Sequence, residues 1–317
     1  MIAICEFTFT ACLCVLGWGA KLRHVTLLND LVCTEMKVLQ QNDELMTAEG
    51  ILLEHLPKSF QVYGHLYAYN RNKQSTIQVV VDTWPDFKVI ICRPDPRVSL
   101  QEFGFTPEMT MYCKESKDGH ALKEILMKDS LFNWSSNING GCDISHTSIL
   151  QEVSLNREVN YRSLALTRLL HLPNRSHLVK PAIDSGLESR ISSLELCHAH
   201  LVNQTWKFGG TQQGYNYIAF LISNFPTYCI TDNEGQPISW LLVYEYLALG
   251  VLYTMPKHRK RGFAKALIQT MAQRLFDQDY PVFCYIEEDN MASYKLFKSL
   301  GFIEEPSYRE LWFEFNF

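Results

Sequence analysis

One stretch of the chain is more informative than any other: Pro256-Lys257-His258-Arg259-Lys260-Arg261-Gly262-Phe263-Ala264-Lys265-Ala266-Leu267. It follows an apolar run at residues 247–255, and such a run predicts a buried strand. It leads into a helical pattern whose apolar residues lie on one face as far as Leu275. The sequence therefore predicts a strand, a short basic loop and the start of a helix.

This arrangement is suited to binding an anion. The first turn of a helix carries four unpaired backbone N–H groups and the positive end of the helix dipole. Gly262 and Ala264 leave little side chain between those groups and a phosphate, and three cationic residues, Arg259, Lys260 and Arg261, add charge at the same place. On this pattern alone, a basic helix terminus on a solvated surface is an equal alternative.

A second pattern follows at the expected distance. After another apolar run at residues 281–286 comes the sequence Asn290-Met291-Ala292-Ser293-Tyr294-Lys295-Leu296-Phe297-Lys298-Ser299-Leu300-Gly301-Phe302. Gly301 suits the left-handed residue that ends many helices. Phe302 begins a last predicted strand, which ends in Leu311-Trp312-Phe313-Glu314-Phe315, where apolar residues alternate.

Together, the two patterns resemble motifs of the GNAT acyltransferase superfamily. Arg259-x-x-Gly262-x-Ala264 resembles the acyl-CoA pyrophosphate loop, Gln/Arg-x-x-Gly-x-Gly/Ala. Residues 290–302 resemble the helix after the fifth strand, Asn-x-x-Ala/Ser-x-x-Leu-Tyr/Phe-x-x-x-Gly-Phe. Their order and separation are also those of the superfamily.

The resemblance extends to one branch of the superfamily, the glycine N-acyltransferase-like proteins, over residues 37–302. It leaves out the first thirty-odd residues, and residues 154–190 match poorly. The segments that carry it are Leu56-Pro57-Lys58-Ser59, Val62-Tyr63-Gly64, Val81-Asp82-Thr83-Trp84-Pro85-Asp86-Phe87, Arg93-Pro94, Phe132-Asn133-Trp134, Leu201-Val202-Asn203-Gln204-Thr205-Trp206, Gly235-Gln236-Pro237-Ile238-Ser239-Trp240 and Tyr253-Thr254-Met255-Pro256-Lys257-His258-Arg259.

The resemblance implies an α+β fold of two tandem GNAT-like lobes, each a mostly antiparallel sheet flanked by helices. It implies transfer of an acyl group from acyl-CoA to the amino group of glycine or glutamine. Acyl-CoA would be a co-substrate, with no permanently bound cofactor. The family is typically mitochondrial, which gives the expected compartment.

The resemblance also implies where CoA would bind. The pyrophosphate would meet the backbone N–H groups of Lys260, Arg261, Gly262, Phe263, Ala264 and Lys265, next to the side chain of Arg259. The pantetheine arm would pair with the strand edge at Leu252, Tyr253 and Thr254. Asn290 would bond to CoA near the thioester.

The general base is where this chain departs from the family pattern. Characterised members have a Glu where Ala248 stands. Glu245 and Glu287 are the candidate substitutes, and Phe297 replaces the tyrosine that many GNAT enzymes use as an acid. A CoA-binding protein with weak catalysis is therefore the alternative function, and acylation of protein amines is a third.

The composition of the chain limits the classes of molecule that we expect it to bind. The 317 residues carry a net charge of −5, and basic residues concentrate only at 257–261, so we expect small-molecule substrates and no nucleic acid. The ten cysteines show no zinc-ligand spacing, so no metal site is predicted. We expect a monomer, and no membrane contact unless the N-terminal extension acts as an anchor.

The predicted organisation has four parts. Residues 1–36 form an apolar extension, 37–153 an N-terminal GNAT-like lobe, 154–190 a linker of low order, and 191–317 the acyl-CoA-binding domain. In the first lobe, the patterns predict a helix from 37 to 55, strands at 61–69, 77–82 and 87–94, and a helix at 119–128.

Overall fold

A mixed sheet of twelve strands forms the centre of the computed structural model, which describes residues 36–73, 75–97, 104–106, 108–179 and 185–317. The expected N-terminal extension lies outside these residues, except for Met36. Residues 36–317 belong to one compact unit. Helices pack on the sheet, so the fold is α+β as predicted.

The first half of the chain supplies six strands and four helices among the described residues. In chain order they are β1 (Lys37–Leu39), α1 (Asn42–Leu53), α2 (Phe60–Asn70), β2 (Ile77–Val81), β3 (Val89–Pro94), β4 (Met109–Cys113), α3 (Gly119–Leu126), β5 (Ile138–Asp143), α4 (Thr147–Arg157) and β6 (Tyr161–Leu172).

The second half supplies another six strands and five helices among the residues described. They are α5 (Ser185–Glu188), β7 (Ile191–Ser192), α6 (Ala199–Thr205), α7 (Gln212–Asn224), β8 (Thr227–Thr231), β9 (Pro237–Val243), β10 (Leu249–Thr254), α8 (Phe263–Asp277), β11 (Val282–Glu287), α9 (Met291–Ser299) and β12 (Ile303–Phe315).

The sheet consists of two similar halves. Its strand order is β1-β2-β3-β4-β5-β12-β6-β11-β10-β9-β8-β7. In the first half, successive strands from β1 to β4 are antiparallel and β4 and β5 are parallel. In the second half, successive strands from β7 to β10 are antiparallel and β10 and β11 are parallel. This confirms two lobes, each with a mostly antiparallel sheet.

The two lobes exchange their last strands. β6 follows the first lobe in sequence but pairs with β11 of the second, with Leu172 opposite Val282. β12 ends the second lobe but pairs with β5 of the first, with Leu311 opposite Cys142. The exchanged strands also pair with each other. The expectation of low order at residues 154–190 is therefore wrong for β6, because distant strands on both sides supply its order.

Two other predictions in the first lobe are wrong. Residues 61–69 were expected to be a strand but lie in α2, where every residue from Phe60 to Ala68 is buried. A helix that is buried on all sides has no polar face, so its sequence lacks the 3.6-residue pattern. The helix expected from residue 37 is divided into β1 and α1.

The described aromatic residues of the resemblance segments are mostly core residues, as expected from their size. Trp240 is fully buried and stacks on Tyr253, with ring centroids 5.2 Å apart. Tyr63 is 6% exposed. Asp82 serves the turn before β3, where its Oδ1 accepts hydrogen bonds of 2.9 Å from the N–H groups of Lys88 and Val89.

A buried carboxyl group at the junction of the lobes makes stability depend on pH. Glu310 of β12 is fully buried and accepts a hydrogen bond from the Tyr308 hydroxyl. Burial raises the pKa of Glu310 to about 8. This folded-state pKa lies above the ordinary value of 4.5. The contribution of Glu310 to the stability of the folded protein is therefore complete below pH 4.5 and is lost as pH rises through about 8.

We therefore expect the thermal midpoint to fall between pH 6 and pH 8.5, and the fall to be smaller in Glu310→Gln. Gln keeps an acceptor for Tyr308 and cannot ionise. Glu234→Gln, at an exposed turn position, is the control. Thermal denaturation across this range measures the effect, and equal pH slopes in E310Q and wild type would contradict it.

Candidate functional site

A gap opens between the two parallel strands of the second lobe. Among the described residues, β10 and β11 pair at one position, Leu249 opposite Cys284. β10 then contains a bulge between Gly250 and Tyr253, where Val251 has φ +52°. Bulges bend a strand and end its pairing, and they are common next to active sites. The strand edge at residues 251–254 is therefore available to an extended ligand.

The opposite edge of β10 is fixed firmly to β9. Ser239 donates a hydrogen bond of 3.0 Å to the Tyr253 carbonyl and lies 2.7 Å from the Thr254 hydroxyl. The half-buried Leu252, Tyr253 and Thr254 therefore have a defined orientation toward the gap.

The basic loop lies directly after β10. Lys260 has φ +63° and Gly262 has φ +82°, with Arg261 between them. Backbone N–H groups in such alternating conformations converge on a concave site that suits an anion. α8 then starts at Phe263, and its first cap bond runs from the Ala266 N–H to the Gly262 carbonyl. The N–H groups of residues 263–265 thus precede the helical hydrogen bonds.

Side chains around this loop leave its backbone accessible. Apart from its two chain neighbours, no atom of the described residues lies within 4 Å of the position that a Cβ on Gly262 would take. Lys260, Arg261 and Lys265 are exposed. Arg259 folds back, so that its Nε donates a 3.0 Å hydrogen bond to the Thr254 carbonyl and its guanidinium lies 5.6 Å from the centre of the Tyr253 ring.

Asn290 lies beyond the end of β11, at the start of α9. Its side-chain oxygen accepts a 3.1 Å hydrogen bond from the Ser293 N–H and caps the helix. Phe297 is buried and packs on Phe302. Tyr294 lies one turn earlier, and its hydroxyl donates a 2.8 Å hydrogen bond to Glu304.

An aromatic cavity of about 330 Å³ lies at the junction of the lobes. Its wall includes residues of both lobes and of the exchanged strands β6 and β12. Tyr285 and Glu287 of β11 also line it. Ring centroids lie 5.9 Å apart for Trp206 and Tyr217, 6.5 Å for Tyr217 and Tyr244, and 5.3 Å for Tyr244 and Tyr246. These contacts make the wall a continuous aromatic surface.

This cavity adjoins the bulge of β10. A Cβ on Gly250 would lie 1.9 Å from the Tyr244 ring, so glycine is required for the close approach. Burial raises the pKa of Tyr244, an effect that the nearby Trp206 side chain and Val251 backbone oppose. Tyr244 therefore connects the cavity to the bulged residue.

Several polar groups in the cavity wall lack partners among the described residues. The buried hydroxyls of Tyr217 and Tyr285 and the buried side-chain oxygen of Asn139 have no hydrogen-bond partner in the described part of the chain. Buried polar groups are normally satisfied, so such a cluster indicates a polar ligand or water.

The candidate bases occupy different positions. Ala248 is buried, and its carbonyl accepts a 2.9 Å hydrogen bond from the Tyr244 N–H within the turn between β9 and β10. Glu245, in the same turn, is buried and accepts a 3.1 Å bond from the Thr76 hydroxyl. Burial, then the charge of Glu108, raises the pKa of Glu245 to about 8. Glu245 does not line the cavity.

Glu287 and Glu108 do line the cavity. Glu287 is paired with Lys207, whose Nζ lies 2.7 Å and 2.5 Å from its two carboxylate oxygens. Glu108, directly before β4, was not predicted from the sequence. Nothing in its own segment marks it, because the tyrosines that share its cavity come from the other lobe.

The structure thus brings the residues 251–254, the basic loop and Asn290 to the open end of the gap, and Glu287 to the cavity beside it. The aromatic wall was missed by the sequence reasoning. A signal existed in the alternation of Tyr285 with Glu287, which places both side chains on one face of β11.

The exchanged tandem lobes, the bulged strand and the basic loop define a GNAT-type N-acyltransferase. A crystal structure of a Drosophila protein has the same fold, with a TM-score of 0.71 and 15% identity over 88% of this chain and 97% of that one.

The profile of the aralkyl acyl-CoA:amino acid N-acyltransferase family matches residues 36–226, and that of FR47-like proteins matches residues 229–313. The chain belongs to the aralkyl acyl-CoA:amino acid N-acyltransferase family. It is 27% identical to mouse glycine N-acyltransferase over 86% of this chain and 97% of that protein. It is also 27% identical to bovine glycine N-phenylacetyltransferase, over 84% of this chain and 95% of that protein.

Proposed function

We propose that this enzyme transfers an acyl group from acyl-CoA to the amino group of a small amino acid, glycine or glutamine. The observation that supports this most strongly is the aromatic cavity of about 330 Å³ beside the gap between β10 and β11. A thioester held in the gap would direct its acyl group toward the cavity.

In this proposal the basic loop binds the CoA pyrophosphate. The N–H groups of residues 260–265 would donate to phosphate oxygens, and the dipole of α8 would favour the negative charge. Leu252, Tyr253 and Thr254 would pair with the pantetheine amides along the free edge of β10. Asn290 would reach CoA through its amide nitrogen, since its oxygen caps α9.

The cavity wall favours an aromatic acyl group and a small acceptor. Tyr and Trp rings pack well against a phenyl ring through offset or edge contacts. The unpartnered oxygens of Tyr217, Tyr285 and Asn139 could bond to the amino acid. We therefore propose benzoyl- or phenylacetyl-CoA as the acyl donor.

Thiol release from acyl-CoA tests this proposal. Purified protein with phenylacetyl-CoA should release CoA thiol at a rate that increases and saturates with glycine or glutamine. Benzoyl-CoA should behave in the same way. The matched control omits the amino acid, and thiol release that is independent of every amino acid tried would contradict the proposal.

The alternative function, CoA binding with weak catalysis, follows from Ala248 alone. It expects saturable CoA binding without turnover on any amino acid. Family membership favours the enzyme, and a cavity carboxylate can replace the missing glutamate. The same assay separates the two functions.

We also propose a mitochondrial location and function as a monomer. Support for the compartment comes from the resemblance of the chain to glycine N-acyltransferases. Within the residues that the structure describes, no helix is long and apolar enough to span a bilayer.

A further inference from the structure

The cavity wall contains three carboxyl groups, and two of them have a cationic partner. Glu287 is paired with Lys207, and Glu314 with Arg162. Glu108 has neither an ion pair nor a hydrogen bond to any described residue. An unpaired carboxyl group in a cavity is available to a ligand.

Three tyrosines of the second lobe line the cavity together with Glu108. Its charge acts on Tyr217 of α7 and on Tyr244 and Tyr246 of the turn between β9 and β10. Tyr244 packs against the bulge of β10, where the thioester would lie. Glu108 therefore lines, from the first lobe, the same cavity as Tyr244.

We propose that Glu108 is the general base for acyl transfer, supplied by the first lobe in place of the glutamate that Ala248 replaces. This inference rests on the proposed function. The amine nitrogen attacks the thioester carbonyl, the C–N bond forms and the C–S bond breaks. The carboxylate of Glu108 takes the proton that the nitrogen loses, and the CoA thiolate leaves and is protonated by water.

The electrostatic environment agrees with this role. Burial raises the pKa of Glu108 to about 7, so that at neutral pH about half of the carboxyl groups are ionised and the group can both accept and hold a proton. The other groups that face it are Glu245, Tyr217, Tyr244 and Tyr246. The pKa of Glu245 is itself raised, to about 8, by burial and by the charge of Glu108. As pH falls, Glu245 is therefore protonated before Glu108, and it adds little negative charge at pH 7.

Replacement of each cavity carboxyl group ranks the candidates. We expect Glu108→Gln to lower kcat about 100-fold, as loss of a general base does. Glu287→Gln and Glu245→Gln should lower kcat about 10-fold or less. Glu287 is neutralised by Lys207, and Glu245 accepts a hydrogen bond from Thr76. Glu234→Gln, on an exposed turn, is the control and should match wild type.

Two further readouts separate a base from a structural residue. The rise of wild-type kcat/KM with pH should include a limb near pH 7, and E108Q should lack that limb. CoA affinity of E108Q should match wild type, and its thermal midpoint should not fall below that of wild type, because Gln removes a buried group whose pKa is raised. If E108Q does not fold, Glu108→Asp should fold and retain the limb at reduced kcat.

The outcomes are distinct. An active wild type with kcat in E108Q above that of E287Q, or with the limb retained in E108Q, overturns the assignment of Glu108 alone. The assignment of Glu108 is also overturned if wild-type kcat/KM rises with pH only through the pKa of the amine substrate. A wild type that binds CoA and acylates no amino acid overturns the proposed function, and Glu108 with it.

Discussion

Gly262→Val should lower the affinity for CoA at least about 100-fold. Val disfavours the φ of +82° at Gly262, and its side chain would lie where the phosphate is proposed to bind. The loss of two charge-assisted hydrogen bonds, worth about 1.5–3 kcal/mol each, gives this factor. Equilibrium binding of CoA by calorimetry measures it.

The chain offers a matched control for this substitution. Gly235, in the turn between β8 and β9, has φ +81° and equally open surroundings. Gly235→Val therefore introduces the same backbone strain away from the basic loop. G235V should bind CoA like wild type. Unchanged affinity in G262V, or an equal loss in both variants, would rule out the phosphate-binding role of the loop.

Gly64→Ala should strongly destabilise the protein. Gly64 lies in α2, and a Cβ there would be 2.0 Å from the carbonyl oxygen of Tyr246. Because the clash is with backbone, the helix or the turn at residues 244–248 must shift. We expect a loss at the upper end of the range of about 1–3 kcal/mol for overpacking. Urea denaturation measures the free energy of unfolding.

Gly50→Ala in α1 is the control for Gly64→Ala. Outside the backbone of α1 and the two chain neighbours, no atom of the part of the chain that the structure describes lies within 4 Å of a Cβ at Gly50. Alanine there should therefore be neutral or stabilising by up to about 1 kcal/mol. G64A should also reduce acyl transfer, since Tyr244 and Tyr246 belong to the displaced turn. Equal denaturation midpoints for G64A and G50A would show that α2 does not pack against this turn as described.

The elements around the CoA loop could be predicted because their determinants are local. A basic loop with glycine at residue 262, a helix after it and a helix start at Asn290 all depend on residues within one turn. The strands β2, β3, β8, β9 and β11 also follow from short apolar runs with turn residues between them.

The rest depends on contacts between distant parts of the chain. β6 has an exposed first part, and its order comes from β11 and β12 on either side. α2 is buried from Phe60 to Ala68, and part of this burial comes from the other lobe, where Tyr246 lies against Gly64. Glu108 and Tyr244 lie far apart in sequence and meet only through the junction of the lobes. No local pattern encodes such a meeting.

Identification of the product tests the central claim most directly. Wild-type protein is incubated with phenylacetyl-CoA and ¹⁵N-labelled glycine, and the products are identified by mass spectrometry. Acyl transfer predicts ¹⁵N-phenylacetylglycine in a 1:1 ratio to released CoA thiol, by the stoichiometry of aminolysis, and the same result with labelled glutamine if that is the preferred acceptor. Free phenylacetate alone, or intact phenylacetyl-CoA with both amino acids, would contradict it.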